Sequence, residues 1–263
     1  MKRVVVLLAL VMAITTVLAG CGKTDAKMDD IKKSGKLVIG TNAEYPPYEF
    51  HKQIDGKDQI VGMDISIAQA IADELGVQLE IKDMAFDGLL AALQAGKVDM
   101  VIAGMTPDEK RKKSVDFSKI YYQAQQGVVI RSEDKDSYKQ MSDLDGKKVG
   151  VQLGTTQEEI AKTQVKDAKI TAIASVGDLM LQLKSKKVDA LIVELPVAQV
   201  YVSKNPELVI ADAKPNDDVG GSAIAVHKKN PSLVKALDSA IDKLAAEKKI
   251  DAFFVDASNL MEK

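Results

Sequence analysis

Strand signals and helix signals alternate along this chain, and the alternation starts twice. Leu37, Val38 and Ile39 form a short apolar strand signal, with another at Ile60 and Val61. Asp64 is placed to cap a helix over 65–75, whose residues Ile67, Ala68, Ile71, Ala72 and Leu75 share one face. Val77, Leu79 and Ile81 alternate with polar neighbours as a strand does. Leu89, Leu90, Ala92 and Leu93 predict a helix stopped near Gly96, and 98–103 reads as a buried strand. The rhythm then restarts, with strands over 148–151, 170–173 and 188–193 separated by helices over 157–165 and 176–183. Such an order specifies an α/β architecture. Lys97-Val98-Asp99 is echoed ninety positions on by Lys187-Val188-Asp189, each after a Leu-rich helix, as expected of two related lobes. Strand signals at 128–130 and 219–226 would carry the chain into a second lobe and back. Helices over 230–247 and 250–256 close the sequence.

Composition narrows the function. With 46% hydrophobic and 28% charged side chains, the 263 residues can bury one large core or two smaller ones, which excludes a disordered or collagen-like chain. Lys plus Arg is 36 against 38 Asp plus Glu, interspersed throughout, so no basic face for nucleic acid is present. One cysteine and two distant histidines, His51 and His227, cannot build a Cys/His metal cluster. No nucleophile elbow or Walker-type loop occurs. No catalytic residue, metal or cofactor is therefore assigned.

The amino-terminal segment is of another kind. Lys2 and Arg3 precede an uncharged run over 4–18, the pattern of a secretory signal and too short for the roughly 20 residues of a membrane span. Leu18-Ala19-Gly20-Cys21 resembles the lipobox of bacterial lipoproteins, in which the signal is cut before a cysteine that carries lipid. On that reading 1–20 is a signal peptide, 21–33 is the lipidated Cys21 and a polar tether, and the protein sits on the extracellular face of the cytoplasmic membrane.

Ligand chemistry is expected where strands end and helices begin. Thr106, Pro107 and Glu109 fit an N-cap, N1 and capping box after the strand at 98–103, and Thr156 with Glu159 fits a second box. Caps need no ligand, yet one capped start per lobe would let two helix ends grip an anion together. Arg111 opposes the helix dipole; its fork either holds a carboxylate or pairs with Asp108 or Glu109. Tyr45 and Phe86 are either core or cleft walls. Glu194 ends a buried strand, where it would accept from an ammonium group or simply face solvent.

From Lys36 to Val255 the chain resembles the solute-binding proteins of bacterial ABC importers for polar amino acids. The likeness is carried by Gly40-Thr41-Asn42-Ala43-Glu44-Tyr45-Pro46-Pro47-Tyr48-Glu49-Phe50, Val61-Gly62-Met63-Asp64-Ile65, Gly96-Lys97-Val98-Asp99, Ala103-Gly104-Met105-Thr106 with Arg111, Val115-Asp116-Phe117-Ser118 and Gly154-Thr155-Thr156-Gln157-Glu158. The resemblance implies a periplasmic-binding-protein-like type II α/β fold. Two lobes, 34–126 with 222–263 and 127–221, would each carry a central mixed sheet flanked by helices and be joined by two crossing hinge strands. It implies Arg111, Thr106 and Thr156 on the α-carboxylate, and Gly104, Thr106 and Glu194 on the α-ammonium, Glu194 standing where the family commonly has aspartate. Tyr45 and Phe86 would wall the side chain, with Asn42, Glu44, Met105, Gln152 and Thr155 completing the site. Glu44 either supplies negative charge or faces solvent. The expected ligand is basic (arginine, lysine or histidine), with glutamine or another uncharged polar amino acid as the alternative. A dehydratase-like enzyme and a surface receptor of the same fold are the other readings. The implied partners are a free L-amino acid, a permease and its ATPase, around a monomer.

Overall fold

The structure is a computed structural model that describes residues 26–217 and 220–262. The signal peptide and Cys21 lie outside these residues. Helix α1 (Ala26–Ser34) leads into β1 (Lys36–Thr41), and β2 (Glu44–Tyr45), β3 (Glu49–Ile54) and β4 (Lys57–Val61) form a small antiparallel sheet. Next come α2 (Met63–Leu75), β5 (Gln78–Asp83), α3 (Leu89–Gln94), β6 (Met100–Val101), α4 (Glu109–Lys112) and β7 (Val115–Tyr122). The chain then runs through β8 (Gln126–Arg131), β9 (Lys148–Gln152), α5 (Thr156–Gln164), β10 (Lys169–Ile173), α6 (Val176–Lys184), β11 (Ala190–Glu194), α7 (Leu195–Lys204) and β12 (Leu208–Ile210). It ends with β13 (Ser222–His227), α8 (Pro231–Ala246) and α9 (Lys249–Glu262).

Two five-stranded mixed sheets result, ordered β5-β1-β6-β13-β7 and β10-β9-β11-β8-β12. Each has three parallel strands followed by an antiparallel one in fourth place, β13 in the first and β8 in the second. The chain passes between the sheets twice, from β7 to β8 and from β12 to β13. The echoed sequence has the same task in both. Val98 and Val188 are buried, and each following aspartate fastens the neighbouring parallel strand, β1 in one sheet and β9 in the other. The Val38 N–H donates to Asp99 Oδ2 at 2.8 Å and the Asp99 N–H to the Val38 carbonyl at 2.7 Å. Lys148 and Asp189 repeat the exchange at 2.9 and 2.7 Å. Asp99→Ala should therefore destabilise the fold by about 1–3 kcal/mol, the cost of leaving a buried donor unpaired; urea unfolding at neutral pH checks this.

Two expectations are corrected. The tether read over 21–33 is helical from Ala26, because Met28 and Ile31, three apart on one helix face, are buried in the first core. The last helix runs to Glu262 rather than 256, since Leu260 and Met261 also pack on that core.

At the start of α2 the backbone, not a side chain, does the capping. Met63 and Asp64 donate their N–H groups to the carbonyls of Pro47 and Tyr48, at 3.0 and 2.9 Å. The approach is so close that a Cβ on Gly62, at φ +137°, would lie 2.1 Å from the Tyr48 oxygen. Asp64, expected as the cap, instead turns its carboxylate inward to Gly104 and Tyr121. The loop bearing Tyr45 and Tyr48 is thus fixed to the helix beneath it.

Candidate ligand-binding site

The lobes are closed on one another. Arg111 Nη2, in the first lobe, donates to the Gly154 carbonyl in the second at 3.0 Å, and Gln152 Nε2 donates to Asn42 Oδ1 at 2.8 Å. The Glu194 N–H donates to the Tyr45 hydroxyl at 3.3 Å, and the Tyr201 hydroxyl to the Glu44 carbonyl at 3.5 Å. Between them lies a small cavity, about 10 Å³ in this closed form, bounded by the ends of strands and the start of α5.

At one end of the cavity are Thr106, Arg111, Thr155 and Thr156. The Arg111 guanidinium is buried and held on several sides. Nη1 donates to the Thr106 carbonyl at 2.7 Å, Nε lies 3.4 Å from Asp108 Oδ2, and the group stacks over Phe86 at 5.3 Å from the ring centre. Burial lowers its pKa, and the Asp108 charge opposes that shift. Opposite, α5 begins at Thr156, and the first N–H groups of a helix have no partner inside it, which suits an anion.

Neither expected capping box forms. Asp108 caps α4 by accepting the Arg111 N–H at 2.7 Å, which leaves Thr106 and Pro107 before the helix. With only four residues in α4, two good caps compete, and the later one fits the turn. At α5 the N-cap is Thr155, whose hydroxyl donates back to the Gln152 carbonyl at 2.6 Å, and Glu158 rather than Glu159 reaches back, to the Gly154 N–H. The Thr106 and Thr156 backbones are thereby left beside the cavity.

Outside the cavity lining lies Glu194, the last residue of β11, only 2% exposed and with Oε2 lacking a donor among the described residues. It sits one layer behind Tyr45, whose ring stacks on Tyr48 at 5.6 Å. Burial pushes its carboxyl up to about 8; the Tyr48 hydroxyl opposes the rise, while Asp64 and Asp217 add to it. Gly104, at φ +54°, brings its backbone against the Tyr45 ring, where a Cβ would fall 3.3 Å from Tyr45 Cδ1.

The walls are Tyr45 and Phe86, with Gln152 on the second lobe. Asn42 stands one contact away, accepting from Gln152 and donating to the Met84 carbonyl at 3.1 Å. Besides Asn42 and Glu194, two further candidates, Glu44 and Met105, are not part of the wall. Strand alternation in β2 turns Tyr45 inward and so leaves Glu44 exposed on the rim. Met105 packs its side chain into the core with Phe86 and Val115. Two wall residues were not singled out from sequence, Ala103 and Gln157. Gln157 stood inside a quoted motif one residue after Thr156. Its amide donates to Gln126 at 2.8 Å, at the crossing between lobes.

Among the described residues no group of three or more His, Cys, Asp or Glu side chains is placed to hold a metal, and no helix is long and apolar enough to cross a membrane.

Residues 37–255 match the family described as bacterial extracellular solute-binding proteins, family 3. The chain is 41% identical over 228 residues to the arginine-binding extracellular protein ArtP of Bacillus subtilis, covering 84% of this chain and 85% of that protein. It is 32% identical over 218 residues to a probable histidine-binding protein of Campylobacter jejuni, with 83% and 81% covered. The crystal structure of AbpA, an amino acid ABC transporter substrate-binding protein from Streptococcus pneumoniae bound to L-arginine, matches with a TM-score of 0.87 at 40% identity, over 89% of this chain and 99% of that one. By fold, motifs and extent of match, this chain belongs to the bacterial extracellular solute-binding proteins, family 3.

Proposed function

We propose that the protein captures a basic L-amino acid, with arginine the preferred cargo, and presents it to an ABC permease driven by its ATPase. The observation that carries this reading is a buried guanidinium and a buried carboxyl contributed by different lobes: Arg111, which lines the cavity, and Glu194, behind the Tyr45 wall. A zwitterion answers both, and each charge of the ligand, once stripped of water, needs a charged partner. In this arrangement Arg111, Thr106, Thr155 and Thr156 receive the carboxylate, and Glu194 with the Gly104 backbone receives the ammonium. Tyr45 and Phe86 sandwich the side chain, a placement that suits a guanidinium through cation–π attraction. Asn42 and Gln152 offer amide oxygens to its distal end. Relatives that bind arginine or histidine support the basic class.

The lobes divide as 34–126 with 222–263 against 127–221, and binding is a hinge closure between them. Cys21 carries the lipid that holds a monomer at the outer face of the cytoplasmic membrane. The ligand leaves unchanged, as transport requires. Calorimetric titration of the full chain with the twenty amino acids tests the reading. L-Arginine is expected to saturate it one to one; saturation by glutamine with no heat from arginine, lysine or histidine overturns it.

A further inference from the structure

Beneath the ammonium end of the cavity lie two carboxyl groups with no base between them. Glu49 begins β3 and Asp64 lies in the first turn of α2, and neither reaches solvent. Asp64 Oδ2 accepts from the Gly104 N–H at 2.8 Å and from the Tyr121 hydroxyl at 2.7 Å. Its Oδ1 and both oxygens of Glu49 have no donor among the described residues. Yet the two carboxyls lie within hydrogen-bonding reach of each other. The titratable groups around them are Tyr121 from β7, Tyr45 and Tyr48 from β2 and the turn after it, Asp83 from β5 and Glu194 from the other lobe. None of these is a cation. Two bare carboxylates cannot hydrogen bond to each other, and in a buried site they repel strongly. One proton removes both difficulties.

We propose that Glu49 and Asp64 share a single proton and act as a positioning pair for Gly104, with a protonated Glu49 donating to an ionised Asp64 that holds the glycine N–H. The peptide facing the cargo's ammonium is thereby fixed from behind. Only that last clause rests on the amino acid reading of the site; the shared proton does not. Burial raises both carboxyls, Asp64 to about 6 and Glu49 well above its ordinary value, with the Asp64 charge adding to the Glu49 shift. A proton bound more tightly in the folded state stabilises the fold at low pH, and that stability is lost as pH rises through the folded value of Glu49.

Infrared spectroscopy of the unliganded full chain at neutral pH is the direct test. A protonated-carboxyl band is expected that survives in Glu194→Gln, where the other raised carboxyl is gone, and disappears when Glu49→Gln is added to that variant. A Glu194→Gln variant without the band, or a band unchanged when Glu49→Gln is added to it, overturns the proposal. As pH rises above the ordinary glutamate value, the urea midpoint of the wild type should fall more steeply than that of Glu49→Gln; parallel slopes count against the shared proton. With L-arginine as the probe, Glu49→Ala should bind about tenfold more weakly or worse, as for a lost hydrogen bond to a charged group. Glu49→Gln, which keeps a donor, should recover most of that loss, and equal weakness in both variants overturns the positioning role. Should the wild type bind no arginine at all, the amino acid reading fails while the infrared and unfolding results still decide the pair.

Discussion

Arg111→Ala is expected to weaken amino acid binding by about 2–5 kcal/mol, roughly thirtyfold to several thousandfold, the range for truncating one member of a buried, hydrogen-bonded charge pair. The size follows from how Arg111 is held. It is buried, stacked on Phe86 and bonded to Thr106, so its geometry is fixed before any ligand arrives. Alanine would leave the ligand carboxylate facing the start of α5 alone. Arg111→Lys should recover only part of the loss, because a lysine keeps the charge but cannot make two parallel bonds to a carboxylate. Calorimetry on variants whose melting temperature is unchanged measures this. An affinity within threefold of wild type for Arg111→Ala would remove the guanidinium from the binding mechanism.

Glu194→Gln should produce the second large effect, and here pH tells. With the lobes closed, burial pushes the Glu194 carboxyl up to about 8. Opening returns it to water, where a glutamate titrates near its ordinary value. The closed form therefore holds the proton more tightly. Empty closure is fully favoured at pH values below the open-state pKa, and that advantage disappears as pH climbs through the closed-state value near 8. A ligand ammonium takes over the proton's part, which makes filled closure the preferred state at neutral pH. Small-angle scattering of the empty wild type should show a larger radius at about pH 9 than at about pH 5. Glu194→Gln should show no such change and should bind its amino acid at least tenfold more weakly, since an amide returns no charge to the ammonium. An empty wild type of constant radius across that range would sink the idea.

Much of the architecture was legible because periodicity reports burial directly. The first strand, the helix over 65–75 and the restart near 148 all follow from spacing alone, and the Lys-Val-Asp echo marked the same strand-fastening contact in both lobes. What stayed hidden depends on competition or on distance in sequence. Thr106 and Asp108 are both good caps, two positions apart, and nothing local tells which one the short helix uses. The hairpin from Glu44 to Val61 carries too few apolar residues to announce itself. At the site, residue types suggested Arg111, Tyr45 and Phe86. Glu44 had two readings until strand alternation sent it outward, and Asn42 is held by Gln152, 110 positions away in sequence. No pattern in the sequence signals that Glu49 and Asp64, fifteen positions apart, are both sealed from water.

Helix α1 packs on β1, and α9 packs on α2 and α8 with Phe254 stacked on Tyr122 of β7, while everything from β8 to β12 is inserted between β7 and β13. A biosensor built by fusing one fluorophore near each of those helices would carry both dyes on the same rigid half and report almost nothing when cargo arrives. To register the signal, one dye has to be placed within the insertion, for instance at the exposed Leu181 on α6, with its counterpart left beside α9.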